Sequence, residues 1–326
     1  MNFIEKSRTC IGHDVINFTS RRFAIYAGGM NATSQESAAD QERRGVTLDE
    51  MLPASARLGT LDVGGWTLGI ATITPDGANR GNALLVPGFT SSRSTFFCVM
   101  QQLADAGYHV AAISQRGQPA STGPSDPAHY DLRTLGLDLV GVIDGLGWSE
   151  PVHLLGHSFG GLVATEAAIA HTERWTSLTL WNSGLQNMGA DKGLAEGLAG
   201  LREHGPRALW VNDRLASGLD PDADVRGELN RVEQFYFDRM MTTNPAQLDA
   251  GLEHLATQVD RVDELRETGV RALVSHGDAD DAWPTEQQRD DAERLGADYV
   301  VVPRAGHSAH QDNPDDSVAA LTHFWG

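Results

Sequence analysis

Val152-His153-Leu154-Leu155-Gly156-His157-Ser158-Phe159-Gly160-Gly161-Leu162-Val163-Ala164-Thr165-Glu166-Ala167-Ala168 is the stretch on which the reading of this chain turns. It opens with a short apolar run of strand length and closes with a run that reads as a helix. Between them lies a G-x-S-x-G turn, Gly156 to Gly160. A strand passing straight into a helix through such a turn must bend sharply, and the strained bend lifts the serine hydroxyl above the sheet. Side chains at the flanking glycines would crowd the strand and the helix. Taken alone, the pattern also describes a glycine-rich loop with an incidental serine, so the rest of the chain has to decide.

Upstream, Thr60-Leu61-Asp62-Val63 and Trp66-Thr67-Leu68-Gly69-Ile70 alternate around Gly64-Gly65, which reads as a β-hairpin. Ala83-Leu84-Leu85-Val86 and Tyr108-His109-Val110-Ala111-Ala112-Ile113 are apolar runs, as is Leu178-Thr179-Leu180-Trp181. Helical spacing appears around Thr95 to Ala106 and from Tyr130 to Leu146. Continuous apolar strands alternating with helices predict a mostly parallel, doubly wound α/β sheet covered on both faces. The alternation stops between residues 185 and 265, where Leu194 to Leu201, Val225 to Met241 and Ala246 to Val259 all read as helix. Strand character resumes at Val270 to Ser275 and at Tyr299 to Val302. The expected organisation is therefore a core of residues 53–184 and 266–326 with a helical cap, 185–265, inserted before the next strand. Residues 1–52 lack periodicity and are polar around Ser34 to Glu42, so a mobile arm is expected there.

Composition narrows the partners. Among 326 residues, 25 Lys and Arg stand against 44 Asp and Glu, a formal net charge of −19. So acidic a chain is not expected to bind nucleic acid. No apolar run approaches the roughly 18–20 residues of a membrane span. The start, Met1 to Lys6, has an early acid and no signal-peptide core after it, so a cytoplasmic protein is expected. Cys10 and Cys98, the two cysteines, make neither a disulfide framework nor a zinc site. No metal or cofactor is expected.

A serine is a weak nucleophile unless a base takes its proton and an acid orients the base. The strand ending at Ser275 leads into His276-Gly277-Asp278-Ala279-Asp280-Asp281-Ala282-Trp283-Pro284, and the final strand leads into Pro303-Arg304-Ala305-Gly306-His307-Ser308. Each set lies at the C-terminal end of a strand, the edge of an open α/β sheet where ligands bind. Asp278, Asp280 and Asp281 are all candidate acids, and His307 and His310 candidate bases. His157 sits in the turn itself, and His153 and His276 lie on strands, where packing or hydrogen bonding is the plainer role.

In this order of serine, aspartate and histidine, the chain from about residue 55 to 326 resembles the α/β-hydrolase superfamily, in its capped esterase, lipase and C–C hydrolase branches. The resemblance implies Ser158 as nucleophile. Its G-x-x-D-x-x-x-P pattern falls on Gly277 to Pro284 and selects Asp280 as the acid. Its G-H pair falls on Gly306-His307 and selects His307 as the base. An oxyanion hole would then take the backbone N–H of Phe159, after the nucleophile, and of Phe89, in the loop Pro87-Gly88-Phe89. Pro87 stands where family members often carry histidine, which removes that residue's hold on the loop. The family's D-x-R-G-x-G-x-S landmark is matched at Arg116, Gly117 and Ser121 but not at Ser114 or Pro119; a buried arginine there is expected to tie loops together.

The implied activity is cleavage of a small to medium apolar carboxylic ester or thioester through an acyl-enzyme, without a cofactor. Phe96, Trp210, Phe235, Tyr236 and Met240 are the candidate pocket residues, although aromatic and methionine side chains at helical spacing also describe plain cap core. The same triad serves C–C bond hydrolases of vinylogous diketones and cofactor-free perhydrolases or haloperoxidases, and a silent triad would leave a binding protein. Epoxide hydrolases and haloalkane dehalogenases of this superfamily carry aspartate at the turn, which Ser158 argues against.

Overall fold

A computed structural model describes residues 46–188 and 193–326. The expected arm up to residue 45 lies outside the described residues. Of its remainder, Leu48 to Met51 form a 3-10 turn, and Leu48 is buried in the main apolar cluster.

The apolar runs become eight strands: β1 (Arg57–Val63), β2 (Trp66–Ile73), β3 (Gly81–Val86), β4 (Tyr108–Ile113), β5 (Val152–His157), β6 (Trp175–Trp181), β7 (Ala272–Gly277) and β8 (Asp298–Val302). They form one sheet in the order β1-β2-β4-β3-β5-β6-β7-β8. β1 and β2 are an antiparallel hairpin, and β2 joins β4 antiparallel. From β4 to β8 every pairing is parallel. All six residues of β5 and of β7 are buried, as a parallel strand covered on both faces requires. At the outer edge, β1 is largely exposed.

Helices cover the sheet on both sides: α1 (Phe97–Asp105), α2 (Leu132–Gly145) and α3 (Phe159–Ala170) come before β6 or alternate with its neighbours. Residues Phe159 to Ala168 of α3 are all buried; a helix apolar on every face belongs in a core. Between β6 and β7 come α4 (Leu194–His204), α5 (Arg207–Ala216), α6 (Ala223–Arg226), α7 (Arg231–Thr242), α8 (Pro245–Thr257) and α9 (Val262–Thr268). α10 (Thr285–Leu295), α11 (Ala309–Asp312) and α12 (Pro314–Trp325) complete the chain.

Two long helical readings break for local reasons. Tyr130 to Leu146 is interrupted at Asp131, whose side chain accepts the Thr134 N–H and starts α2 afresh. Val225 to Met241 is two helices. Gly227 ends α6 in the left-handed conformation at φ 68°, and Asn230 opens α7 in a capping box with Glu233.

The loop after β4 is tied down as its arginine foretells. Arg116 meets the buried Asp138 of α2 through two hydrogen bonds of 2.9 and 2.6 Å and also donates to the His129 carbonyl. Removing one member of such a pair strands a buried charge, at a cost of about 3–5 kcal/mol. Asp138→Leu should therefore lower the urea midpoint markedly, and Arg116→Met added to it should restore most of the loss. An unchanged midpoint in the single variant would show that the pair is solvated.

Candidate active site

The site is assembled at the C-terminal edge of the parallel strands. β5 hands over to α3 at Ser158, which is forced to φ 53° and ψ −125°. A serine at positive φ costs of order 1–3 kcal/mol unless the surroundings impose it. Here they do. A Cβ on Gly156 would collide with the main chain of Gly160 and Gly161, and one on Gly160 with the carbonyls of Val86 and Pro87. Strand and helix are packed too closely for any residue but glycine at either position. Ser183, just after β6, donates from its hydroxyl to the Ser158 carbonyl at 2.8 Å and pins the turn from the other side.

The Ser158 hydroxyl lies 2.9 Å from Nε2 of His307, and Nδ1 of the same ring lies 2.9 Å from Oδ1 of Asp280. With Nδ1–H donating to the carboxylate, Nε2 presents its lone pair to the serine proton. Burial alone would raise the Asp280 carboxyl. The facing His307 charge, the His307 and Asn182 hydrogen bonds and the Trp283 N–H outweigh it and hold the group well below the usual carboxylate range. Its four remaining hydrogen bonds come from Asn182 and Gln288 at 3.0 Å and from the N–H groups of Ala282 and Trp283 at 3.1 Å. Asp278 instead accepts the N–H groups of Arg304 and Ala305, on the turn before His307. His310 is not at Ser158 either; its Nε2 pairs with the Thr95 hydroxyl at 3.1 Å.

Phe159 is the first residue of α3, so its N–H has no partner within the helix. The N–H of Phe89 engages no backbone or side-chain acceptor among the described residues. The loop that carries Phe89 is held without a histidine. Gln115 donates to the Pro87 carbonyl at 2.7 Å and Gln118 to the Gly88 carbonyl at 2.8 Å, while the Gln115 N–H returns to the Gln118 side chain. Thr90, the next residue, sits at φ 53°, an outlier for a β-branched residue. The strained positions Thr90, Ser158 and Asn182 thus all belong to segments that form the site.

Asn182, Ser183, Gln288, Gln115 and Gln118 are absent from a motif reading of the sequence. The signal for Asn182 and Ser183 was positional, since they directly follow an apolar strand whose end adjoins the turn. Gln288 lies eight residues beyond Asp280, on the buried side of α10, where nothing in its neighbourhood marks it. The expected pocket residues divide. Trp210, Tyr236 and Met240 are buried and Phe235 partly buried, all in the cluster that also contains Phe89 and Phe159. Phe96 packs elsewhere, in the second cluster with Phe97 and Met100 and with its ring 5.0 Å from that of His310. Among the described residues, no helix is long and apolar enough to cross a membrane, and no group of three or more His, Cys, Asp or Glu could hold a metal ion.

With this geometry in place, comparison with known proteins is direct. A model of the alpha/beta hydrolase family matches residues 83–321, and the chain belongs to that family. It is 30% identical over 200 residues to epoxide hydrolase B of Mycobacterium tuberculosis, covering 56% of this chain and 54% of that protein. It is 31% identical over 183 residues to a pimeloyl-[acyl-carrier protein] methyl ester esterase of Aeromonas hydrophila, covering 54% of this chain and 71% of that one. The chain thus spans about half the length of the curated epoxide hydrolase it matches. Among solved structures it resembles an enol-lactonase from Burkholderia xenovorans LB400, with a TM-score of 0.67, 23% identity, and coverage of 82% of this chain and 99% of that one. At that identity the likeness is one of fold.

Three histidines near the site or sheet are kept neutral. His157 donates from Nε2 to the His307 carbonyl at 2.9 Å, and burial followed by the His307 charge drops its pKa to about 3. Burial, then the neighbouring His157 and His307, lowers His310 well below the ordinary value. Burial, then the Arg271 charge, brings His153 down to about 4; it stacks on Trp325 and pairs with Ser177. In the unfolded chain each would titrate near 6.5. Their stabilising effect is complete above that pH. Below it the unfolded chain binds protons the folded one refuses, so stability falls by up to about 1.4 kcal/mol per pH unit for each histidine. His153→Phe, away from the serine, should make denaturant midpoints between pH 6 and 4.5 less pH-dependent than in the wild type by about one proton. Equal slopes would mean that His153 is protonated in the folded protein.

Proposed function

We propose that the protein is a serine hydrolase that cleaves a carboxylic ester or thioester of a small to medium, largely apolar molecule through an acyl-enzyme. The observation that carries this reading is the unbroken line of two 2.9 Å contacts from Ser158 through His307 to Asp280. As the Ser158 oxygen attacks the carbonyl carbon, its proton passes to Nε2 of His307. Asp280, held ionised by five donors, stabilises the resulting imidazolium. The N–H groups of Phe89 and Phe159 receive the developing oxyanion. Collapse breaks the bond to the leaving group, which takes the proton back from Nε2. A water molecule, deprotonated by the same nitrogen, then cleaves the acyl-serine bond and regenerates the enzyme.

The relatives' names divide between ester and epoxide chemistry, and the nucleophile favours the ester. Serine attack on an epoxide would leave an alkyl ether on Ser158, which has no acyl carbon for water to attack, and the enzyme would stop after one turnover. Attack on an ester leaves an acyl group that water removes. In this reading α4 to α8 act as the cap, with Trp210, Phe235, Tyr236 and Met240 as its apolar contribution to substrate binding. Phe96 is left out, because its ring packs in the other cluster. A net charge of −19 speaks against a nucleic-acid substrate.

Ser158→Ala should lower kcat/KM for a reactive nitrophenyl ester by about a thousandfold or more while the protein keeps its thermal midpoint. A fluorophosphonate probe should add covalently to Ser158 and to no other residue, as read by peptide mass spectrometry. Wild-type rates in the alanine variant, or a label elsewhere, would overturn the assignment.

A further inference from the structure

Gln247 is 1% exposed, and neither its Oε1 nor its Nε2 has a hydrogen-bond partner. A buried primary amide with both ends unmet is unusual, because buried polar groups are nearly always paired. Its setting is rigid. It lies in the first turn of α8, which Asn244 caps while donating from its side chain to the carbonyls of Gly123 and Pro124. The Asn244 N–H also reaches the Gly117 carbonyl at 2.8 Å. The base of the Gln247 side chain abuts that same residue, since its Cβ would lie 2.8 Å from a Cβ on Gly117. The helix cannot swing away to wet the amide without giving up these contacts.

The amide extends along α8 toward the oxyanion loop. One turn on, at Gly251, a Cβ would lie 4.0 Å from Nε2 of Gln247 and only 2.9 Å from the ring of Phe89. The unmet amide and the aromatic ring of the residue whose N–H faces the oxyanion therefore meet the same point on α8. Nearby, His254 of the same helix stacks on Phe159, the other proposed donor, at 6.4 Å between ring centroids. α8 thus packs on the side chains of both proposed donors, and Gln247 is its unsatisfied polar group beside the Phe89 ring.

We infer that Gln247 is a specificity-determining residue that takes a hydroxyl or amide on the acyl part of the substrate, close to the scissile carbonyl, donating from Nε2 and accepting at Oε1. The inference rests on the serine-hydrolase reading and narrows its substrate class from plain apolar esters to esters with one hydrogen-bonding substituent near the carbonyl. A site that hydrogen-bonds a substrate group discriminates strongly against the analogue without it, because the site's own polar atoms are then left unpaired.

The test measures kcat/KM by pH-stat for methyl butanoate, methyl 2-hydroxybutanoate, methyl 3-hydroxybutanoate and methyl N-acetylglycinate. Wild type should favour at least one functionalised ester over methyl butanoate by about tenfold or more. In Gln247→Leu that ratio should fall to near one, with a thermal midpoint equal to or above that of the wild type. A wild-type ratio near one for all three functionalised esters would overturn the inference without any variant being needed. So would a ratio that survives in Gln247→Leu, or a sharp fall in its midpoint, which would mark the amide as part of the internal structure. Ser158→Ala is run in parallel: hydrolysis that persists in it refutes the serine-hydrolase reading itself, whereas serine-dependent hydrolysis with flat ratios refutes only the role of Gln247.

Discussion

The close approach of β5 and α3 across Gly156 and Gly160 is the constraint from which the rest of the site follows. Main chain packs against main chain there, with no room for a Cβ on either glycine. The residue between them must turn in the left-handed region, and Ser158 accepts that strain at φ 53°. The same contact sets Gly160 against the Val86 and Pro87 carbonyls, so the end of β3 and its loop are positioned by the turn as well. Ser158 and the loop that carries Phe89 are in this way fixed by one piece of backbone packing, while the buried α3 supplies the apolar burial that holds it closed.

Below the substrate-facing surface, polar groups are arranged so that each supports the next. Asn182, at the end of β6, donates both to Asp280 and to the Gly306 carbonyl. The Gly306 N–H is taken by Asp312, whose carboxyl burial pushes up to about 6. The residue before His307 is therefore gripped at its carbonyl and its amide, and His157 holds the carbonyl of His307 itself. His307 is thus positioned by its backbone and oriented by its ring.

Much of this was legible because it is local. The turn at Ser158, the glycine before His307 and the strand periods are all encoded within a few residues of one another, and the steric reasons for them act at that range. Arg116 could be read as a tie because a cation in a loop beside a buried sheet edge must find an acid. The supports were not legible for the opposite reason. Gln288 reaches Asp280 from a helix, Asn182 bridges 98 and 124 residues of chain, and Gln115 replaces a histidine with a different residue at a different place. Each acts across a tertiary contact that no spacing rule encodes. Phe96 was singled out by its place after the oxyanion loop, and its ring packs in the cluster of α1 and α12.

The scaffold of this chain consists of parallel strands buried on both faces, the glycines at the turn, and strand ends that bring Ser158, Asp280 and His307 together. All of these serve any nucleophile placed at the turn. The reaction class is decided at a single position, by whether the covalent intermediate has a carbonyl that water can attack. On the proposed reading, with serine there, the carbonyl comes from the substrate, which is then an acyl compound. Everything that distinguishes one acyl compound from another then falls to the helices between β6 and β7. There α8 holds an amide with neither end paired, above an Asp280 carboxylate that accepts five hydrogen bonds.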